Sequence, residues 1–232
     1  MAGPPRRLLI DISGFEAHVS RLASLHPAAI FDLRADAYGL GLSNVRSIFD
    51  RLGLGVLSDG DHDLEQAVVS ALGDHVGPEP AVIPGEMVLG LHNDGPGFAR
   101  LSGTVVKVKQ VPAGRRISYG YTYATSHEST VALVALGYAD GIVRRASNRA
   151  PVRVNTQTGI IAGRIAMDQF VVDLGNAQIA PGDEAVLFGN PEHQEPSIAT
   201  WSALTGVPAL AIMSGLGNRV TRVIASPVGT SQ

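Results

Sequence analysis

The hydrophobic periodicity of this chain changes once, near residue 97, and that change limits the folds it can adopt. Before it, strand and helix patterns alternate, beginning with a capping box from Ser13 to Glu16 that predicts the start of a helix. Alternation of this kind predicts parallel strands whose C-terminal ends carry the ligand-facing loops. The predicted elements of this half are strands at 29–33 and 54–57 and helices at 15–22, 45–52 and 64–72.

From about residue 98 onward, short strands separated by proline- and glycine-rich turns replace the alternation. This spacing predicts an all-β barrel or sandwich, with one helical segment after Ser197. We therefore predict an α/β domain over 1–97 and a β-rich domain over 98–232. The predicted strands are 103–111, 130–136, 151–154, 159–166, 169–174 and 184–188.

Composition argues against several classes of protein. The chain has 232 residues, 45% of them hydrophobic and 17% charged, which is ordinary for a globular protein and not typical of disorder. Its net charge of -3 favours neither nucleic acid nor an anionic membrane as a partner. It has no cysteine, which removes disulfides and thiolate metal sites. Because the apolar run 8–10 is too short for a signal peptide and nothing approaches the ~20 apolar residues of a membrane span, we expect a cytoplasmic protein.

An acidic cluster at residues 59–63 is the most polar stretch of the chain. Its alternating carboxylates resemble a calcium loop, but an EF-hand requires glutamate at the twelfth position, where Ser70 stands. We interpret the cluster as the acidic first turn of the helix at 64–72. His62 by itself is a weak metal ligand, so we predict no metal site.

Six segments follow one another in a specific order: 33–41, 82–90, 117–120, 136–141, 163–169 and 217–223. The first includes Arg34-Ala35-Asp36-Ala37-Tyr38-Gly39, and the fourth includes Gly137-Tyr138-Ala139-Asp140-Gly141. In this order the segments resemble consecutive motifs of the alanine racemase family. The resemblance extends over essentially the whole chain, with one large gap.

The resemblance implies an N-terminal (β/α) barrel that holds pyridoxal phosphate, followed by a mostly β domain. A barrel of this kind needs ~200–250 residues, whereas about 97 residues precede the β half here. After Gly73 the sequence passes almost directly to 82–90, which resembles the family segment near the last barrel strand. We therefore predict an incomplete barrel-like α/β domain followed by an all-β C-terminal domain.

Arg34 occupies the position at which the resemblance places the lysine that binds pyridoxal phosphate as a Schiff base. A guanidinium stays protonated and cannot act as that amine nucleophile or proton shuttle. The only lysines, Lys107 and Lys109, lie on one predicted solvated face of a valine-rich strand. Two roles remain open for Arg34: bidentate binding of a carboxylate or phosphate, or a salt bridge to a local acid such as Asp32 or Asp36.

At further positions matched to the family's cofactor site, this chain has either the family's residue or a different one. Arg34, Tyr38 and Gly85 are the candidate cofactor-binding residues. Ile83 matches the arginine that faces the pyridine nitrogen in the family. Glu86 matches an isoleucine whose backbone meets the phosphate, and a carboxylate there would repel a phosphate dianion.

Tyr138 matches the family's second acid/base, a tyrosine that reaches across the dimer interface, and is therefore the candidate catalytic residue. A retained structural role in the turn and the interface is the competing interpretation. Met167 and Asp168 match a segment beside the substrate carboxylate and are the candidate substrate-binding residues. Leu210 matches, more loosely, a terminal tyrosine that contacts the cofactor.

These observations lead to one main hypothesis and two alternatives. The main hypothesis is a shortened alanine racemase homologue that has lost Schiff-base catalysis, binds no cofactor, and acts in binding or assembly as a homodimer. A small anionic ligand or an amino acid is its candidate ligand, with no nucleic acid and no membrane among its partners. One alternative is an active amino-acid racemase that binds pyridoxal phosphate non-covalently and uses Tyr138. The other is a structural partner that completes a barrel with a second chain.

Overall fold

The computed structural model describes residues 5–59, 82–91 and 97–225. Over these ranges the chain forms a small α/β part and a larger β barrel that share one hydrophobic core, which confirms the predicted fold class. The helix predicted at 64–72 lies outside the described residues, and so does the acidic cluster beyond Asp59.

The chain begins with strand β1 (Arg7–Asp11), which continues directly into helix α1 (Ile12–Leu25). The helix buries Phe15, Val19 and Leu22, which the spacing of apolar residues places on one face, as predicted. Its N-cap is Asp11, whose Oδ1 accepts a 3.0 Å hydrogen bond from the Gly14 N–H. The predicted capping box at Ser13 is therefore wrong, because the preceding strand supplies an aspartate two residues earlier.

A three-stranded parallel sheet forms the centre of the α/β part. Strand β2 (Ile30–Asp32) pairs with β3 (Gly55–Leu57) on one side and with β4 (Val82–Ile83) on the other. The parallel pairing confirms the prediction made from the alternating pattern. All three residues of β2 are buried, and its C-terminal end leads to Arg34.

Three helices surround this sheet: α2 (Arg34–Tyr38), α3 (Leu42–Leu52) and α4 (Gly85–Val88). Helix α3 buries Val45, Ile48 and Phe49 of its predicted face, whereas Leu52, the fourth residue of that face, is 37% exposed. The helix ends at Gly53, which has φ 65°. Glycine adopts this left-handed conformation without a Cβ clash, so it stops the helix as predicted.

The β half is a closed barrel. Its strands are β5 (Ala99–Val111), β8 (Ser129–Val134), β9 (Pro151–Val154), β10 (Gln157–Ile161), β11 (Phe170–Asp173) and β12 (Glu184–Phe188), and a hairpin of β6 (Arg116–Ile117) and β7 (Tyr123–Ala124) lies outside it. The long strand β5 pairs with β12 through its first residues and with β8 through its last ones. This double pairing closes the order β5-β12-β9-β10-β11-β8, so the barrel, and not the sandwich, is the correct alternative.

Both ends of the described chain belong to this sheet. Strand β1 pairs antiparallel with the start of β5, and the last strand, β13 (Thr221–Ala225), pairs in parallel with β1. Sequence reasoning did not predict either strand. The domain boundary between residues 97 and 98 stays a prediction.

Two helices precede the last strand. Helix α5 (Ile198–Thr205) begins at Ser197, whose Oγ accepts a hydrogen bond from the Thr200 N–H at 3.0 Å, and it confirms the predicted helical segment. Helix α6 (Ala209–Ser214) follows it. In the part of the chain that the structure describes, no helix is long and apolar enough to cross a membrane.

Phe15 connects α1 to its surroundings, since its fully buried ring lies 6.2 Å from that of Phe49 and 5.7 Å from that of Phe98, measured between centroids. We predict that Phe15→Ala lowers the free energy of unfolding by about 3–5 kcal/mol, because it removes buried apolar surface and leaves a cavity. Urea denaturation followed by circular dichroism measures the change. The control is Leu25→Ala on the same helix, where the side chain is 67% exposed and a change within about 0.5 kcal/mol is expected; equal losses would contradict the prediction.

Candidate functional site

The turn that follows β2 has an unusual backbone. Four consecutive non-glycine residues, Ala35 to Tyr38, have φ between 50° and 55°, so α2 is a left-handed turn. For L-residues this conformation costs roughly 1–2 kcal/mol each, and such strain persists where the surrounding structure imposes it. The turn sets the positions of Arg34 at its start and Tyr38 at its end.

Arg34 forms a bidentate ion pair with Asp32. Its Nε lies 2.9 Å from Oδ1 and its Nη2 lies 2.7 Å from Oδ2. The Arg34 side chain is 53% exposed, whereas that of Asp32 is 5% exposed. Of the two roles that the sequence left open, the structure has the salt bridge to Asp32.

Tyr38 donates a hydrogen bond to the same carboxylate, with its hydroxyl 2.6 Å from Asp32 Oδ2. Burial raises the pKa of Asp32, but hydrogen bonds from Arg34 and Tyr38 outweigh it and leave that pKa below its ordinary 3.8. Burial, and then the bond to Asp32, raise the pKa of Tyr38 to about 12. Burial and the Asp32 carboxylate therefore keep Tyr38 protonated, and the same carboxylate binds the Nε and Nη2 groups of Arg34.

Gly85 lies directly against Tyr38. A Cβ at position 85 would lie 2.0 Å from a ring carbon of Tyr38, so only glycine allows this contact. The pairing of β4 with β2 places Gly85 there, because Ile83 pairs with Phe31, one residue before Asp32. The structure thus brings together the three candidate cofactor-binding residues, Arg34, Tyr38 and Gly85.

The second candidate cluster lies in the β half, at a 3-10 turn over Tyr138–Asp140. The Tyr138 N–H donates to Ala166 O at 3.0 Å, and the Ala139 N–H donates to Met167 O at 2.9 Å. The Tyr138 side chain is 45% exposed, and the Arg144 guanidinium lies 5.4 Å from its ring centroid. The structure therefore places Tyr138 beside the segment of Met167 and Asp168.

Ion pairs and a hydrogen bond stabilise this turn through Asp140. Asp140 is fully buried, and its Oδ2 accepts a 2.8 Å hydrogen bond from the Gly137 N–H. Its Oδ1 lies 3.2 Å from Arg6 Nε and 3.1 Å from Arg219 Nε, which makes ion pairs without hydrogen-bond alignment. Arg219 also binds Asp168, with Nη2 and Oδ1 2.7 Å apart. The carboxylate of Asp168 is therefore paired within the chain.

The two clusters adjoin the same segment, residues 213–217. Gly39, at the end of the left-handed turn, packs so tightly that a Cβ would lie 2.5 Å from Met213 O. Gly141, at the end of the tyrosine turn, would place a Cβ 2.1 Å from Gly215 O. Leu210, in the preceding helix α6, is partly buried and packs against the core.

Sequence reasoning missed three charged residues that hold these clusters. Asp59 accepts hydrogen bonds from the left-handed turn, Asp140 lies beneath Tyr138, and the Arg222 side chain donates to four backbone carbonyls. Asp140 carried a usable signal, since it lies two residues after Tyr138 inside a matched motif. Arg222 lies in the last matched segment, but nothing in its spacing indicates a contact with the α/β half.

The fold belongs to the α/β plus β-barrel class. A closed β barrel, extended by β1 and β13, is joined to a small α/β part with a parallel sheet. The family model "Alanine racemase, C-terminal domain" matches residues 98–224, more than half of the chain. The chain belongs to the alanine racemase family.

Curated relatives match about half of this chain. Alanine racemase from Streptomyces coelicolor is 50% identical over 123 residues, which are 53% of this chain and 32% of the relative. Alanine racemase from Thermobifida fusca is 46% identical over 128 residues, 55% of this chain and 34% of the relative. The chain therefore spans about a third of the length of the curated relatives it matches.

Solved structures support the fold. Alanine racemase from Streptomyces lavendulae superimposes with a TM-score of 0.75 at 22% identity, covering 97% of this chain and 98% of that one. Alanine racemase from Oenococcus oeni gives a TM-score of 0.77 at 15% identity, covering 96% of this chain and 99% of that one. At these identities the similarity establishes the fold alone.

We predict that Gly85→Ala moves the pKa of Tyr38 from about 12 towards the ordinary ~10, because the added methyl displaces the ring and breaks the bond to Asp32. Absorbance at 295 nm against pH measures tyrosine ionisation, and Tyr38→Phe identifies the step that belongs to Tyr38. Tyr123, whose pKa burial and Asp173 also raise to about 12, is the internal control and should titrate as before. An unchanged Tyr38 step in Gly85→Ala would show that the contact does not position the ring.

Proposed function

We propose that this chain is a shortened member of the alanine racemase family that does not catalyse racemisation and acts by assembling with a second copy of itself. The observation that carries the proposal is the ion pair between Arg34 and Asp32. At the position matched to the Schiff-base lysine, the chain has a guanidinium that binds both carboxylate oxygens of Asp32. The Nε–Oδ1 distance is 2.9 Å and the Nη2–Oδ2 distance is 2.7 Å.

An arginine there supplies no substitute chemistry. Hydrogen bonding to Asp32 raises the pKa of Arg34 above its ordinary value, so the group is always protonated and has no lone pair for attack on an aldehyde. The only other amines are the two lysines and the chain N-terminus. Lys107 and Lys109 are exposed on β5 in the barrel.

The residues at the remaining matched positions do not fit pyridoxal phosphate. Ile83, at the position of the arginine that faces the ring nitrogen, is 3% exposed and offers no polar atom. Glu86, at the position of the phosphate contact, is an exposed carboxylate at the start of α4 and repels a phosphate. Tyr38 is already bonded to Asp32, which argues against a second anionic acceptor for its hydroxyl.

Exposed aromatic and methionine side chains in the β half support the proposed assembly. We define the tyrosine face as Tyr119, Tyr121, Tyr138 and Met167, whose side chains are between 45% and 78% exposed. The loop of the first two touches Arg164, since Ser118 Oγ donates to Arg164 O at 2.7 Å. Exposed aromatic and methionine side chains next to arginines are typical of protein interfaces.

Charge complementarity supports a second copy as the occupant of this face. Residues 1–97 contain 6 arginines and 13 acidic residues, a net charge of -7, and residues 98–232 contain 12 basic and 8 acidic residues, a net charge of +4. The two values add up to the -3 of the whole chain. Association of the acidic half of one copy with the basic half of the other would bring opposite charges together.

The first test is catalytic. We predict that Arg34→Lys, supplied with excess pyridoxal phosphate, forms no detectable D-alanine from L-alanine, because the cofactor would still lack a ring partner and a phosphate site and would be held out of register. Chiral chromatography measures the product, and the S. coelicolor alanine racemase assayed in parallel is the positive control. Borohydride reduction of the native protein with pyridoxal phosphate should fix no stoichiometric pyridoxyl group.

D-alanine formed by Arg34→Lys and abolished by Tyr138→Phe would refute the non-catalytic proposal. D-alanine formed by the native chain would do the same and would favour the alternative, a racemase that holds its cofactor non-covalently.

The second test concerns assembly. We predict a dimer in sedimentation equilibrium at micromolar concentration, and Tyr121→Glu should weaken it at least about tenfold, because a charge replaces an aromatic contact. Val106→Glu is the matched control, since Val106 is 39% exposed on β5 and belongs neither to the tyrosine face nor to the acidic half. A native monomer, or equal weakening by the two variants, would exclude assembly through this face.

A further inference from the structure

The left-handed turn α2 has backbone hydrogen bonds of its own, such as that from the Gly39 N–H to Ala35 O at 3.1 Å, but its residues do not favour its hand. Ala35, Asp36 and Ala37 have φ of 52°, 55° and 52° with ψ of 46°, 51° and 44°. Alanine gains nothing in this region, because it has a Cβ to clash and no polar side-chain group to form a local hydrogen bond. Contacts from outside the turn must therefore hold it.

The strongest of these contacts comes from Asp59, two residues beyond the end of β3. Its Oδ1 accepts a hydrogen bond from the Ala35 N–H and its Oδ2 accepts one from the Asp36 N–H, both at 2.7 Å. A left-handed turn points consecutive N–H groups in one direction, and a carboxylate spans two of them. A right-handed turn also aligns consecutive N–H groups, but after β2 it would direct them along a different axis, so the two bonds to Asp59 favour the left-handed form.

The other end of the turn is fixed by the β half. Arg222 Nε donates to Gly39 O at 3.0 Å, and the rest of its guanidinium donates to carbonyls of residues 216, 217 and 220, each at 2.8 Å. Asp36 Oδ1 accepts from the Leu42 N–H at 2.7 Å and so joins the turn to α3. These contacts hold the end of the turn. At its start the Arg34 N–H donates to Asp32 Oδ1 at 3.2 Å, and among the hydrogen bonds of the described residues Asp59 alone accepts from the N–H groups of Ala35 and Asp36.

We propose that Asp59 is the positioning residue of the candidate site: its carboxylate keeps the turn left-handed and thereby sets Arg34 and Tyr38 on Asp32. Arg34 directly precedes the first bonded N–H, and Tyr38 is the last left-handed residue. If the start of the turn relaxes to a right-handed form, the backbone direction after β2 changes and both side chains leave the Asp32 carboxylate. The inference does not depend on whether the chain is catalytic.

The experiment uses the full chain and two measurements. Three-bond HN–Hα coupling constants of Ala35 and Asp36 report φ directly, and absorbance at 295 nm reports the ionisation of Tyr38. In Asp59→Ala we expect the couplings to leave their left-handed values and the Tyr38 pKa to fall from about 12 towards the ordinary ~10. Formate added to this variant should restore both measurements, because it returns a carboxylate to the two N–H groups.

Three further variants complete the test. Asp59→Asn keeps one acceptor oxygen without the charge and should show a partial effect; it replaces Asp59→Ala if that variant does not fold. Asp59→Ala with Ala35→Gly should recover part of the native couplings, since glycine adopts the left-handed region freely. Asp50→Ala, which removes an exposed carboxylate that pairs with Arg46 on α3, is the matched control and should change nothing.

Native couplings and an unchanged Tyr38 titration in Asp59→Ala would overturn the proposal. So would a loss in Asp59→Ala that formate does not reverse and that Asp50→Ala reproduces, because the effect would then be a general loss of stability.

Discussion

The pairing of β1 between β5 and β13 is the interaction on which the rest of the molecule depends. Leu8 and Ile10 of this strand are fully buried, and α1 begins at the residue directly after it. The first element of the chain is thereby fixed on the barrel before the α/β part begins. Three strands of two or three residues form too small a sheet to be stable alone. They fold here because their core is continuous with that of the barrel.

The sequence predicted elements whose periodicity is local, and it failed where the cause lies far away in the chain. The faces of α1 and α3, the stop at Gly53 and all six barrel strands follow from the spacing of apolar residues. Strand β1 shows only a three-residue apolar run, and its partner β13 lies more than 200 residues away, so no local pattern indicates the pair. The left-handed turn is the clearest failure, because alanine disfavours that conformation and the contacts of Asp59 and Arg222 with the turn come from distant parts of the chain.

The candidate site was predictable in its membership and not in its electrostatics. Motif order was sufficient to bring Arg34, Tyr38 and Gly85 together, because β2 and β4 are neighbours in the sheet. It left two roles open for Arg34, since a guanidinium next to several carboxylates can bind within the chain or outside it. The structure has Asp32 at 5% exposure with four donors on its two oxygens. A buried carboxylate that loses its cation is costly, so Asp32 holds Arg34 in place.

The position of β4 explains how a short α/β part keeps one corner of a larger site. In a closed barrel the first and last strands are neighbours, so a chain that lacks the strands between them retains that one pairing. Strand β2 leads to Arg34, and β4 leads to Gly85 in the segment that resembles the last barrel strand. The groups carried by these two strands therefore still meet, as the contact between Tyr38 and Gly85 shows. This pairing supplies no substitute for the groups that further barrel strands would carry. Within the described residues, Asp32 alone accepts hydrogen bonds from the side chains of both Arg34 and Tyr38. The corner has thus become a self-contained polar cluster whose charges are balanced within the chain.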